Sequence, residues 1–170
     1  MKKIKLAGNV PTPRDWQTEC TYKALQWLTK TKKDKRFLIN AAPGTGKTIC
    51  ASWIAANLID MGEIEKVIVI APRSEVVDQW AVEFKQVTGK EMIRITGSDT
   101  KPNEFDSNLC STWSAISGLL EAYQITCKEK KTLVICDEHH HAAISAAWGT
   151  GAYGAFEEAK YIIVLTGTPY

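Results

Sequence analysis

The chain has 170 residues, 45% of them apolar, and 21 Lys and Arg against 19 Asp and Glu leave a net charge of +2. That length and apolar share suit one globular domain with a core of its own, and no apolar run is long enough to cross a bilayer. The charge balance excludes a uniformly basic nucleic-acid binder, so any basic binding face must be local.

The start, Met1-Lys2-Lys3-Ile4-Lys5-Leu6, is basic but lacks a following apolar core, so it is not a secretory signal. The five cysteines are odd in number and contain no C-x-x-C pair, which argues against a disulfide framework or a zinc ribbon. Cys50 and Cys136 lie in apolar surroundings and read as small core residues. A reducing cytoplasm, or the nucleoid within it, is the expected location.

In chain order, the first expected element is a helix over Trp16–Thr29, followed by a solvated turn, Thr31-Lys32-Lys33-Asp34-Lys35-Arg36. An apolar run, Phe37–Ala41, then reads as a strand. It leads into Ala41-Ala42-Pro43-Gly44-Thr45-Gly46-Lys47-Thr48, a phosphate-binding loop pattern with Ala41 where the strict form has Gly. A helix is expected over Lys47–Leu58. Strand, glycine loop and helix N-terminus make an anion site, because backbone N–H groups converge there and the helix dipole adds partial positive charge. In such a loop, Pro43, Gly44, Thr45 and Gly46 cradle the phosphates of ATP, Lys47 reaches the β- and γ-phosphates, and the Thr48 hydroxyl holds Mg²⁺.

Strands are expected next at Lys66–Ala71, Met92–Thr96, Asn108–Thr112, Thr132–Cys136 and Tyr161–Thr166. Runs such as Val67-Ile68-Val69-Ile70 and Leu133-Val134-Ile135-Cys136 are apolar throughout, as strands buried on both faces are. Between them, Val76, Val77, Trp80, Ala81 and Phe84 form a helical stripe over Ser74–Val87, with Ser74 as the expected N-cap. That stripe makes Trp80 a core residue rather than a base-stacking platform, and Trp27, Trp53 and Trp113 read the same way. A polar loop covers Gly97–Asn108, and a further helix is expected over Ala115–Thr126. This alternation predicts an α/β fold: a parallel sheet in three layers, with helices on both faces and ligands at the carboxyl ends of the strands.

The strand Thr132–Cys136 runs into Asp137-Glu138-His139-His140. Two acids at the end of a buried strand are costly unless they have work to do. The pairing fits ATP hydrolysis: Asp137 holding Mg²⁺ through water, Glu138 orienting and deprotonating the attacking water. The triplet His139-His140-His141 is not read as a metal site, since adjacent side chains rarely converge on one ion.

Together these segments resemble the first RecA-like domain of a superfamily-two helicase or translocase of the DExH type, a P-loop NTPase, and the resemblance covers nearly the whole chain. Arg14-Asp15-Trp16-Gln17 is similar to the N-terminal glutamine motif, which implies that Gln17 reads the adenine edge. Ala42–Thr48 corresponds to motif I, Ala71-Pro72-Arg73-Ser74 to motif Ia, Ser111-Thr112-Trp113-Ser114-Ala115-Ile116 to the Thr-containing strand-end motif, Asp137–His140 to motif II and Thr166-Gly167-Thr168-Pro169 to motif III. The resemblance implies that His140 links the ATP site to motif III, that Thr166 and Thr168 carry the coupling, and that Arg73, Ser74 and Thr112 touch one nucleic-acid strand through its phosphates. Asp-Glu-x-His followed by Thr-Gly-Thr-Pro resembles the branch of type I and III restriction translocases and DNA-remodelling helicases, which favours DNA as the track. Such motors need a second RecA-like domain carrying an arginine finger, and no segment of this chain resembles one. The chain is therefore expected to bind Mg-ATP weakly, to turn it over little and to unwind nothing alone. Two other readings stay open: a P-loop ATPase that is not a helicase, and a non-catalytic domain that docks nucleic acid or protein.

Overall fold

The computed structural model of the protein describes residues 14–40, 46–95, 107–112, 115, 120–138 and 156–166. The opening helix, α1, is Asp15–Gln26, and it passes into a wider π-type turn, Trp27–Thr31. That turn closes with the Lys32 N–H bonded to the Trp27 carbonyl at 3.0 Å and Lys32 at φ +53°. The charged segment after it leads into β1, Arg36–Asn40, one residue earlier than the apolar run suggested. Helix α2 is Lys47–Asp60 and strand β2 is Lys66–Ala71. Helix α3 is Ser74–Thr88, followed by β3 at Met92–Ile95 and β4 at Asn108–Thr112. Helix α4 is Leu120–Glu129; it lies later in the chain than the expected Ala115–Thr126, although Ala115 is itself helical. Strands β5, Thr132–Glu138, and β6, Tyr161–Thr166, complete the described elements.

All six strands are parallel and lie in the order β1-β6-β5-β2-β4-β3. The last strand in sequence, β6, is thus inserted between the strand before the glycine loop and the strand that carries the acids. Both faces are covered. On one, α1, the π-type turn, α2 and α3 pack Ala24, Leu28, Cys50, Ile54, Leu58, Trp80 and Phe84 against Val67, Val69, Leu133, Ile135, Ile163 and Leu165. On the other, Tyr123 and Cys127 of α4 meet Ile68, Ile70, Val134, Cys136, Ile162 and Val164, and Phe156 sets its ring edge-on to Tyr123 at 5.8 Å and 69°. Successive strand residues face opposite sides, so an apolar run reads as two half-cores back to back. Each fully buried Val, Leu or Ile stabilises the fold by about 1.5–3 kcal/mol, and β2, β5 and β6 supply most of them.

Two expectations are corrected here. Ser74 is not the cap of α3 but its first helical residue; Arg73 is the N-cap, in extended backbone, and its carbonyl accepts from the Val76 and Val77 N–H groups at 3.1 Å. Strand β5 does not stop at Cys136. Pairing with β6 carries it through Asp137 and Glu138, which stand opposite Leu165 and Thr166.

Candidate nucleotide site

The register of the parallel strands builds the site. Asn40 of β1 pairs with Thr166 of β6, and Thr166 pairs with Glu138 of β5. Three strands therefore end level with one another, about 4.8 Å apart, along the carboxyl edge of the sheet. Helix α2 begins with Lys47, whose side chain reaches Asp137 near the end of β5.

Lys47 and Asp137, remote in sequence, meet. Lys47 Nζ lies 3.3 Å from Asp137 Oδ1, and both residues are buried, 8% and 3% exposed. The contact is an ion pair rather than a directed hydrogen bond, and Lys47 Nζ has no hydrogen-bond partner among the described residues. An ammonium with three donors held out of water without acceptors is costly. At a helix N-terminus, that is the arrangement a polyphosphate completes. The other carboxylate oxygen, Asp137 Oδ2, accepts the indole N–H of Trp80 at 2.8 Å. The carboxylate of Asp137 and the hydroxyl of Thr48, both buried, are hard oxygen donors of the kind Mg²⁺ takes one or two of together with phosphate oxygens. The residues present therefore fit both the nucleotide and the ion.

Gln17 is drawn into the same corner. Its Nε2 donates to the Gly46 carbonyl at 2.8 Å, and its Oε1 accepts the Arg14 N–H at 2.8 Å, half of a capping box that starts α1. One N–H and one lone pair of the amide remain beyond those two bonds. Gly46 needs to be glycine: its φ is +88°, and a Cβ there would stand 2.5 Å from Gln17 Nε2.

The expected nucleic-acid contacts divide. Arg73 and Ser74 are exposed at the start of α3, with Arg73 Nε 4.0 Å from Glu75 Oε2. Thr112 is instead buried at the end of β4, where its Oγ1 accepts the Ala115 N–H at 3.3 Å, so it caps a turn and is not an exposed hydroxyl. Thr166 is buried too, and its Oγ1 has no hydrogen-bond partner among the described residues. Pro43, Gly44, Thr45, Trp113, His139, His140, His141 and Thr168 lie outside the described residues, and for Glu138 only the backbone is described. Trp53 and Trp80 are fully buried, as expected of core residues, while Trp27 is half-buried and donates its indole N–H to the Arg36 carbonyl at 2.9 Å. The contact missed in the sequence is that of Trp80. Helical periodicity places it in the core, but no local pattern says that its polar tip meets Asp137.

Residues 11–170 match the family model described as type III restriction enzyme, res subunit. The chain belongs to that family. It is a RecA-like domain of the superfamily-two helicases, of the kind found in restriction subunits, with the three-layer α/β fold of P-loop NTPases. It is 29% identical over 160 residues to an uncharacterized protein of Mycobacterium tuberculosis, a match that covers 94% of this chain and 26% of that protein. It is 27% identical over 146 residues to the type I restriction enzyme EcoAI endonuclease subunit of Escherichia coli, covering 83% of this chain and 18% of the subunit. Among solved structures, the Sulfolobus solfataricus SWI2/SNF2 ATPase core in complex with double-stranded DNA superposes with a TM-score of 0.69 at 22% identity, over 99% of this chain and 35% of that one. The chain thus spans about a quarter of the length of its mycobacterial relative.

Proposed function

We propose that this domain binds Mg-ATP at the carboxyl edge of its sheet and, joined to a second RecA-like domain, hydrolyses it to drive movement on DNA. The observation that carries the reading is the buried ammonium of Lys47, held at the start of α2 beside Asp137 with no hydrogen-bond acceptor of its own among the described residues. A β- or γ-phosphate oxygen supplies that acceptor. Thr48 and Asp137 would hold Mg²⁺, which when bound neutralises charge on the phosphates. Pro43 would shape the loop, Gly44, Thr45 and Gly46 would offer backbone N–H groups, and the remaining N–H and lone pair of the Gln17 amide would read adenine.

Glu138 would orient the attacking water and take its proton. His140, Thr166 and Thr168 would pass the state of the pocket to the neighbouring domain. Arg73 and the N-terminus of α3 would hold one phosphate of the track without reading its sequence. Closure of two motor domains around ATP, and release after hydrolysis, would supply the stroke. DNA is favoured by the company the chain keeps: a restriction endonuclease subunit and a SWI2/SNF2 ATPase core solved with double-stranded DNA. Among the described residues no helix is long and apolar enough to cross a membrane.

The test is a titration of the chain with a fluorescent ATP analogue, with and without Mg²⁺. Saturable binding that Mg²⁺ strengthens and Lys47→Ala removes is expected. Equal binding by Lys47→Ala would overturn the reading. Hydrolysis by the isolated chain should be slow, since an arginine finger from a second domain is worth about 10³–10⁵ in rate.

A further inference from the structure

We infer that Trp80 is a positioning residue for Asp137: its indole N–H holds one carboxylate oxygen so that the other stays aimed at Lys47 and the metal side of the pocket. The inference rests on the reading of this pocket as a Mg-ATP site.

Packing alone does not call for the contact. Trp80 lies on the buried stripe of α3 between Val77 and Phe84, where a wholly apolar side chain would fill the same layer. Nor does burial by itself steer an indole onto a carboxylate. Trp53 is as deeply buried, and its Nε1 has no hydrogen-bond partner among the described residues. Trp80 Nε1 instead stands 2.8 Å from Asp137 Oδ2, while Oδ1 faces Lys47 at 3.3 Å.

A carboxylate held through one oxygen can still swing, because the Asp χ2 well is broad and nearly two-fold. Bonded at one oxygen by the indole from α3 and faced at the other by the Lys47 ammonium from α2, it has less freedom to swing before any ligand arrives, which lowers the cost of binding. The choice of donor matters as well. An Arg or Lys at this place would fix the carboxylate equally well but add a positive charge beside a divalent cation. Indole donates without charge and, being donor-only, cannot compete as a ligand.

The experiment has two arms. In the first, a fluorescent ATP analogue is titrated into the wild-type chain and Trp80→Phe, each in Mg²⁺ and in EDTA, with thermal unfolding recorded to show that the variant is folded. Trp80→Phe keeps an aromatic ring and loses the donor. Binding in EDTA should match wild type, while the strengthening by Mg²⁺ should fall about tenfold, the weight of a hydrogen bond to a charged group. In the second arm, the indole N–H resonances of the ¹⁵N-labelled wild-type chain are followed by NMR with nucleotide bound. The Trp80 signal should shift when Mg²⁺ is added and the Trp53 signal should not.

An undiminished Mg²⁺ effect in folded Trp80→Phe overturns the inference, as does a Trp80 resonance indifferent to Mg²⁺. Should Trp80→Phe not fold, the wild-type spectrum decides alone. Absence of any Mg²⁺ effect in the wild-type chain would instead sink the Mg-ATP reading itself, so the two failures are distinct.

Discussion

Gly46→Ala, taken with Gln17→Ala, probes the joint between α1 and the glycine loop. Gly46 holds φ at +88°, and a Cβ added there would meet Gln17 Nε2 at 2.5 Å. Left-handed backbone costs an alanine about 1–2 kcal/mol. Pushing the Gln17 amide aside also breaks its 2.8 Å bond to the Gly46 carbonyl, worth about 1 kcal/mol. Gly46→Ala should therefore destabilise the domain by about 2–3 kcal/mol. Gln17→Ala loses that bond and the one from the Arg14 N–H, together about 1–2 kcal/mol. In the double variant the obstacle is gone, and the alanine that replaces Gly46 bears only its backbone cost. The double loss should then fall short of the sum of the single losses by about 1 kcal/mol. Urea unfolding of the four proteins, followed by circular dichroism, measures this directly. Additivity within about 0.3 kcal/mol would refute the contact, and a Gly46→Ala cost under about 1 kcal/mol would refute the left-handed requirement.

Thiol labelling of the native chain near pH 8 should find one reactive cysteine among Cys20, Cys50, Cys110, Cys127 and Cys136, namely half-exposed Cys20. Its hydrogen bond with the Cys50 thiol holds it below the usual thiol range, whereas burial pushes Cys110 up and takes Cys127 to about 12. Labelling of Cys110 or Cys127 without denaturant would contradict that packing. Glu63 accepts from Lys160 at 2.9 Å, tying the α2–β2 turn to the lead into β6, and this bond holds the Glu63 carboxyl below its ordinary value of 4.5. Because the folded value is the lower one, the stabilisation is present above the ordinary value and fades as pH falls through the folded value. Glu63→Gln should cost about 0.5 kcal/mol at pH 7, and the gap from wild type should close under acid; a gap that widens in acid would reverse the sign. In a protein carrying both motor domains, Glu138→Gln should bind ATP and hold it unhydrolysed, as read by nucleotide retention on a filter. Normal turnover would remove Glu138 from its proposed role.

What could be read in the linear order of residues was whatever local chemistry repeats. Apolar runs such as Val67–Ile70 declared strands buried on both faces, and the stripe Val77-Trp80-Ala81-Phe84 declared a helix against them. Gly46-Lys47-Thr48 and Asp137-Glu138 each announced phosphate and acid chemistry within a few residues, because such loops and strand ends carry their function in backbone geometry and charge. The sequence alone thus determined the layers and the parallel sheet, and it pointed to two candidate halves of a nucleotide site. Tertiary structure decided how far each element extends and what each polar tip touches. Pairing with β6 drew Asp137 and Glu138 into β5, and the Ala115 N–H turned Thr112 into a cap. Packing of α1 and α3 carried the Gln17 amide to Gly46 and the Trp80 indole to Asp137. Those contacts join residues 29 and 57 positions apart. Periodicity says which face of a helix is buried; only the packed fold says which group lies across from it.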